Sequence, residues 1–307
     1  MPHSQSTICK ACWQNMRVPI ALRGPLSIPF RLIGVKSSRM NPNLCTVCER
    51  FFSRVYGKKQ AIFPATVLFA DLRGYTSMAE DTESEEVVEI LDEFYDECAD
   101  AIWAHDGVVN KFMGDAVLAI FNFPYTREDH AEQAALAALD IQKRWSKHAP
   151  ASGAPLGVGI GIHTGQASIG EIGKACKEFT ITGPVVNLAS RIQGAAQSGE
   201  ILVSDQVYAR LAGRIPSSGE RDVQLKGIDA PVQLHPIHLH YADSRPSRVE
   251  GGSRTAKPPA CRARPWARSL RRLEPAYARD GALTGKPARQ PLPQQRRNAG
   301  RERRPRI

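Results

Sequence analysis

The stretch "ATVLFAD" (Ala65 to Asp71) is a short, β-rich apolar run that stops on a carboxylate. Its length and flanks mark a buried strand. It constrains the fold most, because the chain after it runs through strand and helix periods in a definite order. "SEEVVEILDEFYDECADAIW" sets Val87, Val88, Leu91, Phe94, Tyr95, Cys98, Ala101 and Ile102 near i, i+3, i+4 spacing with acidic residues opposite, an amphipathic helix. It ends at "HDG", where Gly107 is the expected C-cap. "VVNKFMGDAVLAIF" (Val108 to Phe121) reads as two strands about a Gly114-Asp115 turn. A second helix, "EDHAEQAALAALDIQKRW", precedes "LGVGIGIHTGQASIGEIG", read as two glycine-rich strands about Thr164-Gly165. The order βαββαβ predicts an α+β, ferredoxin-like fold: an antiparallel sheet with helices packed on one face.

That topology makes the second and third strands neighbours of the first, so Asp71 and Asp115 converge at one edge of the sheet. A single Asp at a strand end is usually a cap or a turn former. Two converging carboxylates are a ligand set for Mg2+ or Mn2+, hard ions that prefer oxygen. Two such ions about 3.5–4 Å apart suit an in-line displacement at phosphorus. After Asp71, Leu72 to Ser77 presents backbone N–H groups at a helix start, which makes Leu72, Gly74, Tyr75 and Thr76 candidates for holding phosphate. Further on, "KEFTITGPVVNLASRI" alternates polar and apolar residues, breaks at Gly183-Pro184 and becomes a helix expected to bury Val186, Leu188 and Ile192. Asn187 and Arg191 stand at i, i+4 on one face of it.

The 307 residues can bury one substantial core, but the ends are too biased to belong to it. Residues 1–60 carry a net charge of +9, residues 61–242 of −12 and residues 243–307 of +13, so the overall +10 hides an acidic middle domain. The tail, 243–307, is rich in Arg, Pro and Gly without an apolar period and is expected to be disordered. Its charge suits weak contact with an anionic surface, while the absence of aromatic interleaving or a fold speaks against specific nucleic-acid recognition. No run approaches the roughly 20 apolar residues of a membrane span. Val18 to Val35 is broken by Arg23, Pro25, Pro29 and Arg31, and the N-terminus lacks a signal-peptide layout, so a cytoplasmic protein is expected. Seven cysteines then argue for reduced thiols. Cys9-Cys12 and Cys45-Cys48 form two C-x2-C pairs with 32 residues between them, and four such thiolates could hold Zn2+ tetrahedrally. The interval exceeds that of compact zinc ribbons and residues 1–60 are turn-rich, so the plainer expectation is coincidental or redox-sensitive thiols in a poorly ordered segment.

Five stretches in order, "FADLRGYTSMAE", "VNKFMGDAVLAIFNFP", "GIGIHTGQASIGEIG", "FTITGPVVNLASRIQ" and "VQLKGIDAPVQLHPI", resemble the successive signatures of class III adenylate/guanylate cyclase catalytic domains, over about Ile62 to Leu239. The resemblance implies a head-to-tail homodimer with two equivalent active sites at its interface. Asp71 and Asp115 match the metal-binding aspartates, two ions of Mg2+ or Mn2+ per site, with the Leu72 carbonyl as a further ligand. Lys111 and Thr180 match the residues that read the purine, Asn187 the one that orients the ribose, and Arg191 the one that stabilises the transition state. Lys226 resembles the lysine that contacts the triphosphate. Guanylyl members usually carry Glu and Cys where this chain has Lys111 and Thr180. A Lys can donate to adenine N1 and a Thr hydroxyl can accept from N6. The expected activity is therefore conversion of ATP to 3′,5′-cyclic AMP and pyrophosphate for cAMP signalling. Alternatives are a guanylate cyclase or a catalytically silent nucleotide-binding domain. A diguanylate cyclase is disfavoured because the "GGDEF"-type turn is absent. Pro184-Val185 departs from the Gly-Asp-x-Val-Asn pattern common in the family, at a position where proline suits a first helical turn.

Overall fold

Strand β1 (Ala61–Arg73) is the spine of the sheet, pairing antiparallel with β3 (Ala116–Phe121) on one side and β4 (Gly157–Ile172) on the other. The computed structural model describes residues 6–58, 61–124, 126–148, 156–173 and 178–238. The tail, residues 243–307, lies outside them.

Period-2 alternation decides what each face of β1 meets. Leu68, Ala70 and Leu72 face a core built with helices α5 (Ser84–Ala104) and α6 (His130–Trp145), whereas Ala65, Val67 and Phe69 belong to a second core on the opposite face. In the first core Phe94 meets Trp145 edge-on at 5.4 Å. Five buried alanines of α6 (131, 134, 135, 137 and 138) let that helix approach the sheet closely. Each fully buried large side chain here stabilises the fold by roughly 1.5–3 kcal/mol. Hairpin β2 (Val108–Met113) to β3 turns at Gly114-Asp115 as the sequence predicts, with Gly114 at φ 60°.

The βαββαβ order is thus β1, α5, β2, β3, α6, β4, preceded by a short helix α4 (Tyr75–Asp81) after β1. The sheet then grows by β5 (Glu178–Thr182), which pairs β4, and by β6 (Ile201–Ser204), β7 (Arg221–Val223) and β8 (Val232–Ile237), giving the order β2-β3-β1-β4-β6-β8-β7. Helices α7 (Pro184–Ala195) and α8 (Asp205–Leu211) complete the region.

Several expectations need correction. Because β4 and β6 run parallel, the sheet is mixed. Helices cover both faces, α7 lying over the second core through Val185 and Ala189. That helix buries Val185, Ala189, Ile192 and Gln193, leaving Val186 and Leu188 only partly covered. Thr164-Gly165 is no turn: β4 is one continuous strand, with Thr164 opposite Thr66 and Gly165 opposite Ala65. Thr66 Oγ1 donates to Thr164 Oγ1 (3.1 Å), which donates to the Ala65 carbonyl (3.2 Å), so these buried hydroxyls are satisfied inside the sheet. After α5 the left-handed residue is Asp106, φ 60°, and not Gly107. Gly107 is instead needed for space, since a Cβ there would stand 2.6 Å from the Phe121 ring and 2.7 Å from Ile102.

Residues 6–58 depart furthest from expectation. They form helices α1 (Lys10–Met16), α2 (Ile28–Leu32) and α3 (Thr46–Lys58), with a 3-10 turn (Pro25–Ser27) between the first two. Cys9, Cys12, Leu22, Leu44, Cys45, Cys48 and Phe52 join the same buried cluster as Val67, Val108 and Phe123. The segment is ordered because it shares the core of the sheet's second face.

Candidate active site

Asp71 sits near the end of β1, opposite Ala116 on one side and Gly159 on the other. The Leu72 amide donates to the Asp115 carbonyl at 3.2 Å, which ties the end of β1 to the β2–β3 turn and brings the two aspartates together. The Tyr95 hydroxyl of α5 donates to the Gly114 carbonyl of the same turn, and its ring stacks on Phe112 at 4.2 Å. Burial, and secondly the charge of Asp115, push the Asp71 carboxyl above its ordinary value, while Gln193 and Arg73 pull the other way. An Asp71 carboxylate so crowded by Asp115 belongs to a donor set that a hard divalent cation would stabilise.

Two residues absent from the sequence reading hold this centre. Gln193 Nε2 donates to Asp71 Oδ2 at 3.0 Å, and Arg73 Nη1 lies 3.2 Å from the same oxygen. Arg73 also donates to the Gln193 carbonyl, so the C-terminal half of α7 is fastened to the end of β1. The close approach depends on glycine: a Cβ at Gly161 would stand 2.5 Å from Gln193 Cα and 2.7 Å from the Ala189 carbonyl.

The other candidates form two further groups. Lys111 on β2 makes an ion pair with Glu178 at 2.6 Å, and Thr180 donates from Oγ1 to Asn110 Oδ1 at 3.1 Å. β5 therefore curls back to β2, and the two expected purine readers are brought together. Thr180 is buried, and Asn110 Nδ2 is buried without a hydrogen-bond partner among the described residues. On α7, Asn187 is exposed and Arg191 half-buried, with Arg191 Nη1 donating to the Gly227 carbonyl at 3.0 Å beside exposed Lys226. Gly74, φ 82°, is the N-cap of α4, and the first backbone bond of that helix runs from Met78 N to the Gly74 carbonyl (3.1 Å). The amides of Tyr75, Thr76 and Ser77 precede that bond, so they have no partner inside the helix. Among the described residues no hydrogen bond or ion pair links the aspartates to Lys111, Thr180, Asn187 or Arg191.

Residues 58–238 match the family model described as adenylate and guanylate cyclase catalytic domain. The chain belongs to that family. It is 32% identical over 179 residues to adenylate cyclase 1 of Rhizobium meliloti, covering 56% of this chain and 27% of the relative. It is 35% identical over 185 residues to an adenylate cyclase of Anabaena cylindrica, covering 56% of this chain and 36% of the relative. The chain thus spans about a third of the length of these curated relatives. Among solved structures, the adenylyl cyclase CyaB from P. aeruginosa superimposes with a TM-score of 0.57 at 29% identity, covering 60% of this chain and 98% of that one. The guanylyl cyclase Cya2 gives 0.56 at 31%, covering 60% and 97%. A cyclase catalytic fold is therefore established, with neighbours of both base specificities. Among the described residues, no helix is long and apolar enough to cross a membrane.

The signals for the missed residues were partly available. Arg73 lies two residues after Asp71 on one strand, hence on the same face. Nothing local marks Gln193 as a partner of a residue 122 positions away.

Proposed function

We propose that this chain is an adenylate cyclase, converting ATP to 3′,5′-cyclic AMP and pyrophosphate in a head-to-tail homodimer. The reaction is an in-line attack of the ribose 3′-oxygen on the α-phosphorus. The new O–P bond forms as the bond between the α-phosphorus and the oxygen bridging to the β-phosphate breaks, pyrophosphate leaves, and the hydroxyl proton passes to solvent. When bound at Asp71, Asp115 and the Leu72 carbonyl, two Mg2+ or Mn2+ ions would lower the pKa of that hydroxyl and neutralise the leaving oxygen.

The protein's own groups supply the rest. The amides from Gly74 to Thr76 and the Lys226 ammonium receive phosphate oxygens. Asn187 orients the ribose. Arg191, permanently charged and forked, donates to the equatorial oxygens where charge builds up, so its effect falls on kcat more than on KM. Asn187 and Arg191 face away from the sheet that carries the aspartates, which supports a site completed by a second chain.

The observation that carries the choice of base is the Thr180–Asn110 hydrogen bond. With its proton given to Asn110 Oδ1, the Thr180 oxygen presents only lone pairs, which suits the N6 amino group of adenine and not the O6 of guanine. Lys111, once released from Glu178, can donate to adenine N1. The test is cyclic nucleotide formation by purified protein with Mn2+ and either ATP or GTP, beside Asp71→Ala. Cyclic AMP from the wild type alone supports the proposal; no product from either nucleotide overturns it.

A further inference from the structure

The catalytic proposal makes no use of Cys9, Cys12, Cys45 and Cys48, yet among the described residues these four form the one group of three or more side chains whose ligand atoms converge as a metal would require. All four side chains are buried, and their sulfurs lie within 4.8 Å of one another. The Cys12 Sγ is 3.1 Å from Cys48 Sγ and 3.6 Å from Cys45 Sγ, and Cys9 Sγ is 3.8 Å from Cys48 Sγ. A disulfide requires about 2.05 Å, so none of these pairs is bonded. A tetrahedron with Zn–S bonds of about 2.3 Å has sulfur–sulfur edges of about 3.8 Å, which is the scale of this cluster.

We propose that these four cysteines bind one structural Zn2+, and that the ion holds residues 6–58 against the catalytic sheet. Three further observations carry this. Backbone amides already point at the sulfurs, Cys45 N to Cys9 Sγ at 3.3 Å and Cys48 N to Cys45 Sγ at 3.4 Å, as thiolate ligands require. The ligands are all sulfur, a soft set that selects zinc over the oxygen-seeking Mg2+ or Mn2+ suited to Asp71 and Asp115. A segment of this size also has little core of its own, chiefly Ala11, Leu22, Val35, Leu44 and Phe52, and pieces this small generally need a metal or a covalent staple.

The segment is docked where the ion's effect can be read. The Met40 carbonyl accepts from Val109 N (3.2 Å) and from Trp103 Nε1 (2.7 Å), Asn41 Nδ2 donates to the Gly107 carbonyl (2.7 Å), and Lys10 pairs with Asp106. Those bonds grip the start of β2, directly before Asn110 and Lys111. Loss of the ion should free this end of the strand.

The test uses the full chain, purified under reductant after growth with zinc, and does not depend on cyclase activity. Elemental analysis after EDTA dialysis should give one zinc per chain. Substitution with Co2+ should give the intense spectrum of a tetrahedral tetrathiolate ion. Removing the metal with a mercurial should speed hydrogen exchange over residues 107–112 by about tenfold or more. Cys12→Ser with Cys48→Ser should abolish binding, and Cys98→Ser, a buried thiol outside the cluster, should retain it. Absence of metal after zinc supplementation, iron in its place, or zinc retained by the double variant would overturn the site. Unchanged exchange over 107–112 after metal removal would overturn its docking role. Should the double variant not fold, the Co2+ spectrum of the wild type decides alone.

Discussion

Substituting Gly161 by alanine tests how the sheet positions the catalytic helix. An added Cβ would lie 2.5 Å from Gln193 Cα and 2.7 Å from the Ala189 carbonyl, both backbone atoms of α7 that no rotamer change can move. Carbon atoms rest at about 3.5 Å or more, so α7 must retreat from β4 by about 1 Å. That helix bears Asn187 and Arg191 on its outer face and Gln193 against Asp71, so all three shift together. Overpacking of this kind costs about 1–3 kcal/mol of stability, and a misplacement near 1 Å costs about 100-fold in rate. The assay is kcat for cyclic AMP formation, corrected for folded fraction by urea unfolding. Gly194→Ala is the control: on the same helix, with nothing within 4 Å of the added Cβ, it should stabilise by about 0.5–1 kcal/mol and leave kcat unchanged. Full activity per folded molecule in Gly161→Ala would refute the claim that this contact sets the site.

Asn110→Ala frees the Thr180 hydroxyl to donate as well as accept, and the ATP-to-GTP ratio of kcat/KM should fall by about tenfold, the worth of one hydrogen bond. Phe94→Ala empties a fully buried site against Trp145 and should cost about 3–5 kcal/mol in urea unfolding, with kcat per folded molecule retained. Burial, and then the charge of Arg210, lower the His163 pKa to about 4. Above about pH 6.5 that ring is neutral in both the folded and unfolded states, but on acidification the unfolded chain takes a proton that the fold refuses. Stability should therefore drop by about 2 kcal/mol between pH 7.5 and pH 5 from this residue, and His163→Gln should flatten that slope in denaturant titrations at the two pH values.

What could be read from the sequence was whatever rests on local period or on motif. Strand β1, helix α5, the Gly114 turn and the pairing of Asp71 with Asp115 follow from alternation and topology, and the structure bears them out. Glycine is where local pattern misleads. Gly165 and Gly107 look like punctuation in the sequence, whereas the strand runs straight through Gly165, and Gly107 leaves room for Phe121 and Ile102. Within residues 6–58 only α3 carries a clear amphipathic period, and the order of the rest comes from burying thiols and a few apolar groups against a sheet encoded elsewhere. Of the supports of the site, Arg73 is local, two residues from Asp71 on one strand, whereas Gln193 at Asp71 and Asn110 at Thr180 are long-range contacts that become visible only when α7 and β5 are in place.

The claim that one catalytic site is assembled from two identical chains is tested most directly by mixing two inactive variants. An Asp71→Ala chain keeps Arg191, and an Arg191→Ala chain keeps both aspartates, so a mixed dimer holds one intact site. In an equimolar mixture half the dimers are mixed, and about a quarter of wild-type cyclic AMP formation should return. Activity no higher than that of either variant alone, with mixed dimers shown to form, would contradict the shared site.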